Sequence, residues 1–206
     1  GWVVDRDIPL EYLSNPYHPI GGQAQDVYVK DLNGDGLIDD EDKTILGDPY
    51  PDLVWSLTND FKFGPVDFSF MFQGSHGAEV RNMADQYIFN HFNSSQDFIS
   101  TTPDQGFIKQ KIFTNSIIQD ASYVALRTLN IGYTLPSSLT SKLKINKLRL
   151  YMTGQNLLYF TADNYTGFNP ESIYQQSGSQ LSTTYGYQRG GSPINKTISF
   201  GLNVEF

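Results

Sequence analysis

NKTISFGLNVEF, residues 195–206, decides the fold because it alternates almost without fault. Ile198, Phe200, Leu202, Val204 and Phe206 fall on one face, and Thr197, Ser199, Gly201, Asn203 and Glu205 on the other. That is period two, the signature of a β-strand. A strand apolar on its outside, polar on its inside and about ten residues long is the unit of an outer-membrane barrel. A soluble sheet shows the same alternation, so the rest of the chain has to discriminate.

Working outward, four further strands follow the same rule. Leu53, Trp55, Leu57, Phe61 and Phe63 alternate with Val54, Ser56, Thr58, Asp60 and Lys62. After a tight Gly64-Pro65 turn, Val66, Phe68, Phe70 and Phe72 alternate with Asp67, Ser69 and Gln73, which completes a hairpin over about 53–63 and 66–73. A third strand over about 123–135 places Tyr123, Ala125, Leu129, Ile131, Tyr133 and Leu135 on the apolar face, with Arg127 interrupting it. A compact turn from Pro136 to Lys142, with room for one helical turn, leads to a fourth strand over about 147–158, which loses register near Gly154 and Asn156. The fold class expected is all-β, a C-terminal segment of about five antiparallel strands from a large transmembrane β-barrel with long extracellular loops.

The connections alternate strictly between long and short. Residues 1–52, 74–121 and 161–193 are long and rich in Gly, Pro, Asn, Ser and Gln, with a short helix allowed around Ala78 to Asn90. In an up-and-down sheet the long loops then share one side and the short turns the other, the asymmetry of outer-membrane barrels. A β-sandwich is the competing reading, but its turns recur every 8 to 12 residues or so, and this chain lacks that rhythm. Five strands leave two open edges, so the chain must complete something larger. It begins at Gly1 with neither an initiator Met nor a signal peptide and is read as the C-terminal piece of a longer protein. The division expected is 1–52 as an extracellular loop and 53–206 as barrel strands.

Composition agrees with this reading and excludes others. With no Cys there is no disulfide framework or thiolate chemistry. The net charge of −8 and the lack of any Lys/Arg cluster exclude nucleic acid as a partner. No run of eighteen or so apolar residues marks a transmembrane helix, which leaves a barrel open because barrel strands average out in hydropathy. Thirteen Tyr and fourteen Phe are enough for aromatic girdles. Phe61, Phe63, Phe68, Tyr133 and Phe206 are expected in the periplasmic one, and Trp55 and Tyr123 near the outer one. Arg149 falls among inward residues. Arg127 on a lipid face would cost about 2–4 kcal/mol at the midplane, so it sits near a headgroup zone or its strand carries a bulge.

One sharp local motif lies in residues 31–42, DLNGDGLIDDED. Its first six positions fit the calcium pattern D-x-[DN]-x-[DN]-G, with Gly36 where the chain turns sharply. Asp31, Asn33 and Asp35 would supply side-chain oxygens, Leu37 its carbonyl, Asp39 a direct or water-mediated contact, and Asp42 the twelfth-position ligand in place of Glu. A solvated acidic turn is the bland reading; hard oxygen ligands at this spacing favour a structural Ca²⁺. His18, His76 and His91 have no ligand spacing. Gly74-Ser75-His76-Gly77 is not a nucleophile elbow, and Glu41 with Asp42 belongs to the acidic loop before it suggests a glycosidase pair. No catalytic residue is assigned and the chain is read as a non-enzyme. Tyr165, Phe168, Tyr174, Tyr185 and Tyr187 in the last long loop either stack on sugar rings or hold their own loop together.

Taken in order, Tyr28 to Gly36, Gly47-Asp48-Pro49-Tyr50-Pro51, Phe72-Gln73-Gly74, Ala121 to Pro136 (ASYVALRTLNIGYTLP), Gly154-Gln155-Asn156-Leu157-Leu158 and the closing Phe206 resemble the C-terminal end of the SusC/RagA family, TonB-dependent outer-membrane transporters of the Bacteroidetes. That resemblance implies a barrel of about 22 strands with an N-terminal plug, nutrient uptake of oligosaccharides or peptides powered by TonB, and a SusD-like surface lipoprotein as lid. It also implies that Phe206 acts as an assembly signal read by the barrel-insertion machinery. The partners expected are therefore the rest of the barrel and plug, the SusD-like lipoprotein, TonB, the barrel-assembly machinery and the outer membrane. Two alternatives make different demands. A secreted dockerin-like calcium-binding module calls for a second acidic loop, and a β-rich hydrolase for paired catalytic groups; the sequence shows neither.

Overall fold

A computed structural model describes residues 1, 3, 25–26, 30–36, 40–82, 97–100, 109–111, 115–172, 186–188 and 191–206. Among them are eleven strands: β1 (Gln25–Asp26), β2 (Leu53–Phe63), β3 (Val66–His76), β4 (Glu79–Asn82), β5 (Asp97–Ser100), β6 (Lys109–Lys111), β7 (Ile118–Asp120), β8 (Tyr123–Thr134), β9 (Lys147–Thr161), β10 (Tyr187–Gln188) and β11 (Thr197–Glu205). Among the described residues, helix is confined to single turns, such as Ser137–Thr140 followed by Ser141–Leu143 between β8 and β9.

The five long strands form one sheet in the order β11-β9-β8-β3-β2, every pair antiparallel. This is the sequence-order meander expected from the alternation. β3 runs to His76, past the expected end at Gln73, because its pairing with β2 continues from Ser56↔Gln73 to Leu53↔His76 even where Gly74 dilutes the pattern. The β2–β3 turn has two residues, with Gly64 at φ +58° and Pro65 behind it. A positive φ at the first central position alone is the II′ arrangement, whose twist matches the flanking strands.

Register turns the alternation into two faces. One face carries the row Phe63, Val66, Tyr133, Leu150 and Leu202, and next to it Phe61, Phe68, Ile131, Met152 and Phe200. The opposite face carries Lys62, Asp67, Gly132, Tyr151 and Gly201, then Asp60, Ser69, Asn130, Thr153 and Ser199. The apolar face is exposed on its edge strands, with Phe63 at 66% and Phe200 at 79% of their full accessibility, and half-buried at Val66, Phe68 and Met152 between them. Rings run along it without a break: Phe61 lies 6.0 Å from Phe63 and 6.2 Å from Phe68, Phe70 lies 5.7 Å from Phe68, and Phe72 lies 5.6 Å from Phe70.

Two expectations need correction. Tyr123 and Ala125 do not share the apolar face with Leu129 and Ile131. The register of β8 slips between Leu126 and Thr128 against both neighbours, so Arg127 is one extra residue and inverts the parity of everything before it. Tyr123 and Ala125 pair with Ser75 and Gln73 and join the polar face, which removes Tyr123 from any outer girdle; Trp55 pairs with Gly74 and stays on the apolar face. β9 answers with its own irregularity between Gln155 and Leu158, where Asn156 takes φ +52°. Asn is among the few side chains that tolerate this left-handed region. The second correction is at Ala78 to Asn90, where Glu79–Asn82 is a strand and 83–90 lie outside the described residues. Its edges are taken by β7 antiparallel and β10 parallel, and such long-range pairing overrides a weak local preference.

The chain divides into two compact units that interleave in sequence: Pro51–Gly77, Ser122–Asp163 and Pro193–Phe206 form the large sheet, and Gly1–Tyr50, Ala78–Ala121 and Asn164–Ser192 form the other. The second unit holds two small sheets, β10-β4-β7 and β1-β5-β6. Among the described residues its buried apolar cluster is Val80, Ala121 and Tyr165, knitted by side-chain amides. Asn82 donates to Gln119 Oε1 at 2.8 Å and to Thr166 Oγ1 at 3.1 Å, and Tyr165 donates to Gln188 Oε1 at 2.7 Å. These residues come from two of the long connections, which therefore fold together.

Candidate functional site

On the polar face, Asp67 of β3 and Arg149 of β9 reach each other across β8. Arg149 Nε donates to Oδ1 at 2.9 Å and Nη2 donates to Oδ2, a bidentate fork that fixes both groups. The strand between them presents Gly132. A Cβ there would stand 2.4 Å from Arg149 Nη2 and 2.5 Å from both Asp67 oxygens, so the ion pair occupies the space a side chain would take. The guanidinium also lies 5.1 Å from the Tyr151 ring centre. Tyr151 in turn lies over Gly201, where a Cβ would meet its Cζ at 2.3 Å. One row further, Asn130 donates to Ser69 Oγ at 3.0 Å.

Arg127 sits at the bulge and gathers the far half of this face. Its Nε donates to Gln73 Oε1 at 2.7 Å, Nη1 to Asn156 Oδ1 at 3.4 Å and to the Tyr159 hydroxyl, and Nη2 to the Tyr123 hydroxyl at 3.2 Å. The Tyr159 and Tyr123 rings lie 5.4 and 5.7 Å from its Cζ. The sequence offered a headgroup position or a bulge for Arg127; the bulge is what the register shows, and it turns the charge onto the polar face.

The acidic loop closes on itself. Asp31 Oδ1 accepts the N–H of Gly34 at 2.6 Å and Oδ2 that of Gly36 at 2.8 Å, and Asn33 Oδ1 accepts the N–H of Asp35 at 3.0 Å. Asp42, fully buried, accepts the N–H of Leu32 at 2.7 Å, which brings position twelve beside position two. Gly36, at position six, has φ +84°, the conformation a sharp turn needs there. Leu37 and Asp39 lie outside the described residues, and among the described residues no three His, Asp or Glu side chains converge as a metal cage. The neck of the loop is paired, with Lys30 N–H donating to Val3 O and Thr44 N–H to Gly1 O, both at 2.9 Å.

The remaining candidates separate. His18, His91, Tyr174 and Tyr185 lie outside the described residues. His76 accepts the Trp55 indole N–H at 3.0 Å. Tyr165 holds its own loop, while Phe168 is exposed and Tyr187 lies under Arg81, whose Cζ is 4.6 Å from the ring centre. Phe206 follows β11 and is exposed. Sequence reasoning missed Gly132 and Gly201 as makers of space. The signal was there, two glycines at polar-face positions of otherwise side-chain-rich strands.

No family model matches the chain. Among curated proteins, TonB-dependent receptor P3 of Formosa agariphila is 35% identical over 186 residues, which is 85% of this chain and 18% of that protein. TonB-dependent receptor SusC of Bacteroides thetaiotaomicron is 26% identical over 92% of this chain and 18% of its own length. The chain belongs to the SusC/RagA-type TonB-dependent receptors. Among solved structures, the RagAB peptide importer in its closed-closed state matches all of this chain and 21% of its own, with a TM-score of 0.60 at 17% identity. The fold is thus a wall segment of a large β-barrel, five antiparallel strands that do not close. The SusC/RagA-type segment spans about a fifth of the length of the curated relatives it matches.

Proposed function

We propose that this segment is part of the wall of an outer-membrane active transporter that imports oligosaccharides or peptides, driven through TonB, with a SusD-like surface lipoprotein as partner. The observation that carries the reading is the division of the five-stranded sheet into an exposed apolar face, with its unbroken ladder of Phe, and a polar face organised around Arg127 and Arg149. Lipid on one side and an aqueous lumen on the other account for that division. The names of its relatives support transport in place of catalysis. Fractionation and uptake test it. The complete receptor should run heat-modifiably from the outer-membrane fraction and co-purify with a lipidated partner. A protonophore should stop uptake of labelled oligosaccharide or peptide while sparing surface binding. A secreted, detergent-independent protein would overturn the reading in favour of a dockerin-like module.

Within that reading, residues 31–42 hold a structural calcium ion that pins an extracellular connection on the surface where the lipoprotein docks. Asp31, Asn33, Asp35, Asp39 and Asp42 supply carboxylate or amide oxygen and Leu37 its carbonyl. Bound there, the ion relieves the mutual repulsion of five Asp and one Glu in twelve residues. Asp31→Ala with Asp35→Ala should abolish calcium binding and expose the loop to protease; loop protection unchanged by both chelator and double mutant reduces the motif to an acidic turn. Phe206 is proposed as the assembly signal. Phe206→Ala should lower the inserted amount without changing uptake per inserted molecule, and normal insertion of that variant rules the role out.

A further inference from the structure

We infer that the turn between β8 and β9 is a docking surface for the headgroup of an anionic phospholipid, held by Lys142 and Lys144 at the end of the sheet's apolar face. The inference rests on the reading of that face as the lipid side of a barrel wall.

Charge sets the turn apart. The chain as a whole carries −8, yet residues 136–147, PSSLTSKLKINK, hold three Lys and no acidic residue. Register then sorts the cations at this end of the sheet. Lys147 lies opposite Glu205, Lys62 lies opposite Asp67, and Arg149 forks onto Asp67, so each has a carboxylate close by within the sheet. Opposite charges placed across strands attract and largely offset one another. Lys142 and Lys144 fall outside the strands, both exposed, and among the described residues neither takes part in an ion pair.

The backbone supplies a second, independent observation. Lys144 takes φ 57° and ψ 36°, the left-handed position that closes Ser141–Leu143 and that ordinarily falls to Gly or Asn. A long side chain there strains the chain. Two single helical turns before it gather little dipole for a cation to meet, so nothing within the turn rewards an ammonium at this position. The reward lies outside the chain.

The turn is fixed against the sheet. Leu135 N–H donates to Leu148 O at 2.8 Å, Ile145 N–H to Thr140 O at 3.1 Å and Asn146 N–H to Glu205 O at 2.8 Å, while the Thr140 side chain is buried. Its height relative to the apolar face is therefore set. Leu148 and Val204 form the last row of that face, and at most about 14 Å of chain separates Leu148 from Lys144. Lys stems lie along apolar surface and bring their ammonium groups to headgroup level. Leu139, 49% exposed in the same turn, adds the apolar contact that interfacial segments pair with basic residues.

Two ammonium groups at the edge of a lipid face select headgroups by charge. A choline headgroup pairs its phosphate with its own cation, whereas phosphatidylglycerol leaves its phosphate charge for the protein.

The experiment titrates the complete receptor in neutral detergent with phosphatidylglycerol and, separately, phosphatidylcholine, and native mass spectrometry follows each lipid adduct. Each Lys at an anionic surface is worth about fivefold in affinity. Lys142→Gln with Lys144→Gln should therefore weaken one of the phosphatidylglycerol adducts by about tenfold or more and leave phosphatidylcholine unchanged. Lys142→Arg with Lys144→Arg should retain it. Lys144→Gly alone should weaken the adduct while raising the melting temperature, because glycine relieves the positive φ. A lower melting temperature with the adduct unchanged would make Lys144 structural and overturn the assignment. So would equal weakening by Lys62→Gln on the polar face, an adduct indifferent to the double Gln variant, or saturable binding of inorganic phosphate in place of lipid. A receptor soluble without detergent overturns the lipid-facing reading as well, whereas a detergent-dependent receptor with unchanged lipid preference overturns this assignment alone.

Discussion

Gly132 carries no side chain, and that is why a charge pair can span three strands. Asp67 and Arg149 meet over it, and the Cβ of Gly132→Ala would fall within 2.5 Å of both groups. Neither backbone nor ion pair can yield without loss, so Gly132→Ala should destabilise the folded receptor by about 1–3 kcal/mol, the usual cost of overpacking. Asp67→Asn with Arg149→Gln removes the pair that crowds the site, so in that background the same substitution should cost much less, as urea unfolding in detergent can measure. An additive result would place the cost elsewhere. Tyr165 makes a second residue-scale case. Burial pushes its hydroxyl up to about 12, against the opposing effect of its hydrogen bond to Gln188. An unfolded Tyr titrates near 10 or so, so between those values the folded chain keeps a proton that the unfolded chain gives up. This contribution is intact below pH 10 or so and lost as pH rises towards about 12. The fall in melting temperature over that window should therefore be shallower in Tyr165→Phe, and identical slopes would contradict the burial argument. The letters singled out Tyr165 and set Gly132 at a polar-face position, but what each does depends on partners that only the register and the hydrogen bonds supply.

The strands were legible as elements, and the bulge shows where that legibility stopped. Alternation in Leu53–Phe63, Val66–His76 and Thr197–Glu205 is dictated by faces of opposite polarity, so period two survives in the letters. At Arg127 one inserted residue exchanges the faces, and letters alone left two explanations for a charge among apolar neighbours. The hydrogen bonds decide between them by giving Arg127 Gln73, Asn156, Tyr123 and Tyr159 as partners. The paired bulges in β8 and β9 are held by this one guanidinium. Arg127→Met, which keeps length but not donors, should destabilise by about 2–4 kcal/mol, given several hydrogen bonds to a charged group. Asn156→Gly keeps the φ +52° conformation and loses only the side-chain hydrogen bonds of Asn156, whereas Asn156→Val loses the same bonds and should cost about 1–3 kcal/mol more in strain. Equal effects of Gly and Val at 156 would show that the left-handed residue is not what the bulge requires. The long connections hid more, because β4, β7 and β10 are only two to four residues long and each exists through pairing with distant segments.

At the scale of the whole molecule, β2 and β11 are the edges of the large sheet, eleven and nine residues long, and their apolar face is exposed. In water such edges template aggregation. In a barrel the neighbouring strands take the edges and lipid takes the face. Which face meets lipid can be tested with two adjacent residues of β9. Met152 lies in the row Phe61, Phe68, Ile131 and Phe200, and Thr153 lies in the row Asp60, Ser69, Asn130 and Ser199. They share a strand, a depth and two neighbouring strands, so backbone effects cancel between them. Arg at the lipid midplane of a barrel costs about 2–4 kcal/mol, while substitutions facing a lumen change selectivity more than stability. Met152→Arg should therefore lower unfolding free energy by about 2–4 kcal/mol and reduce the inserted amount, and Thr153→Arg should insert normally. Unfolding in phospholipid vesicles and quantitation of outer-membrane fractions measure both. If Thr153→Arg proved the damaging change, the faces would be reversed and the polar network around Arg127 and Arg149 would have to face lipid, which the cost of desolvating two guanidinium groups forbids.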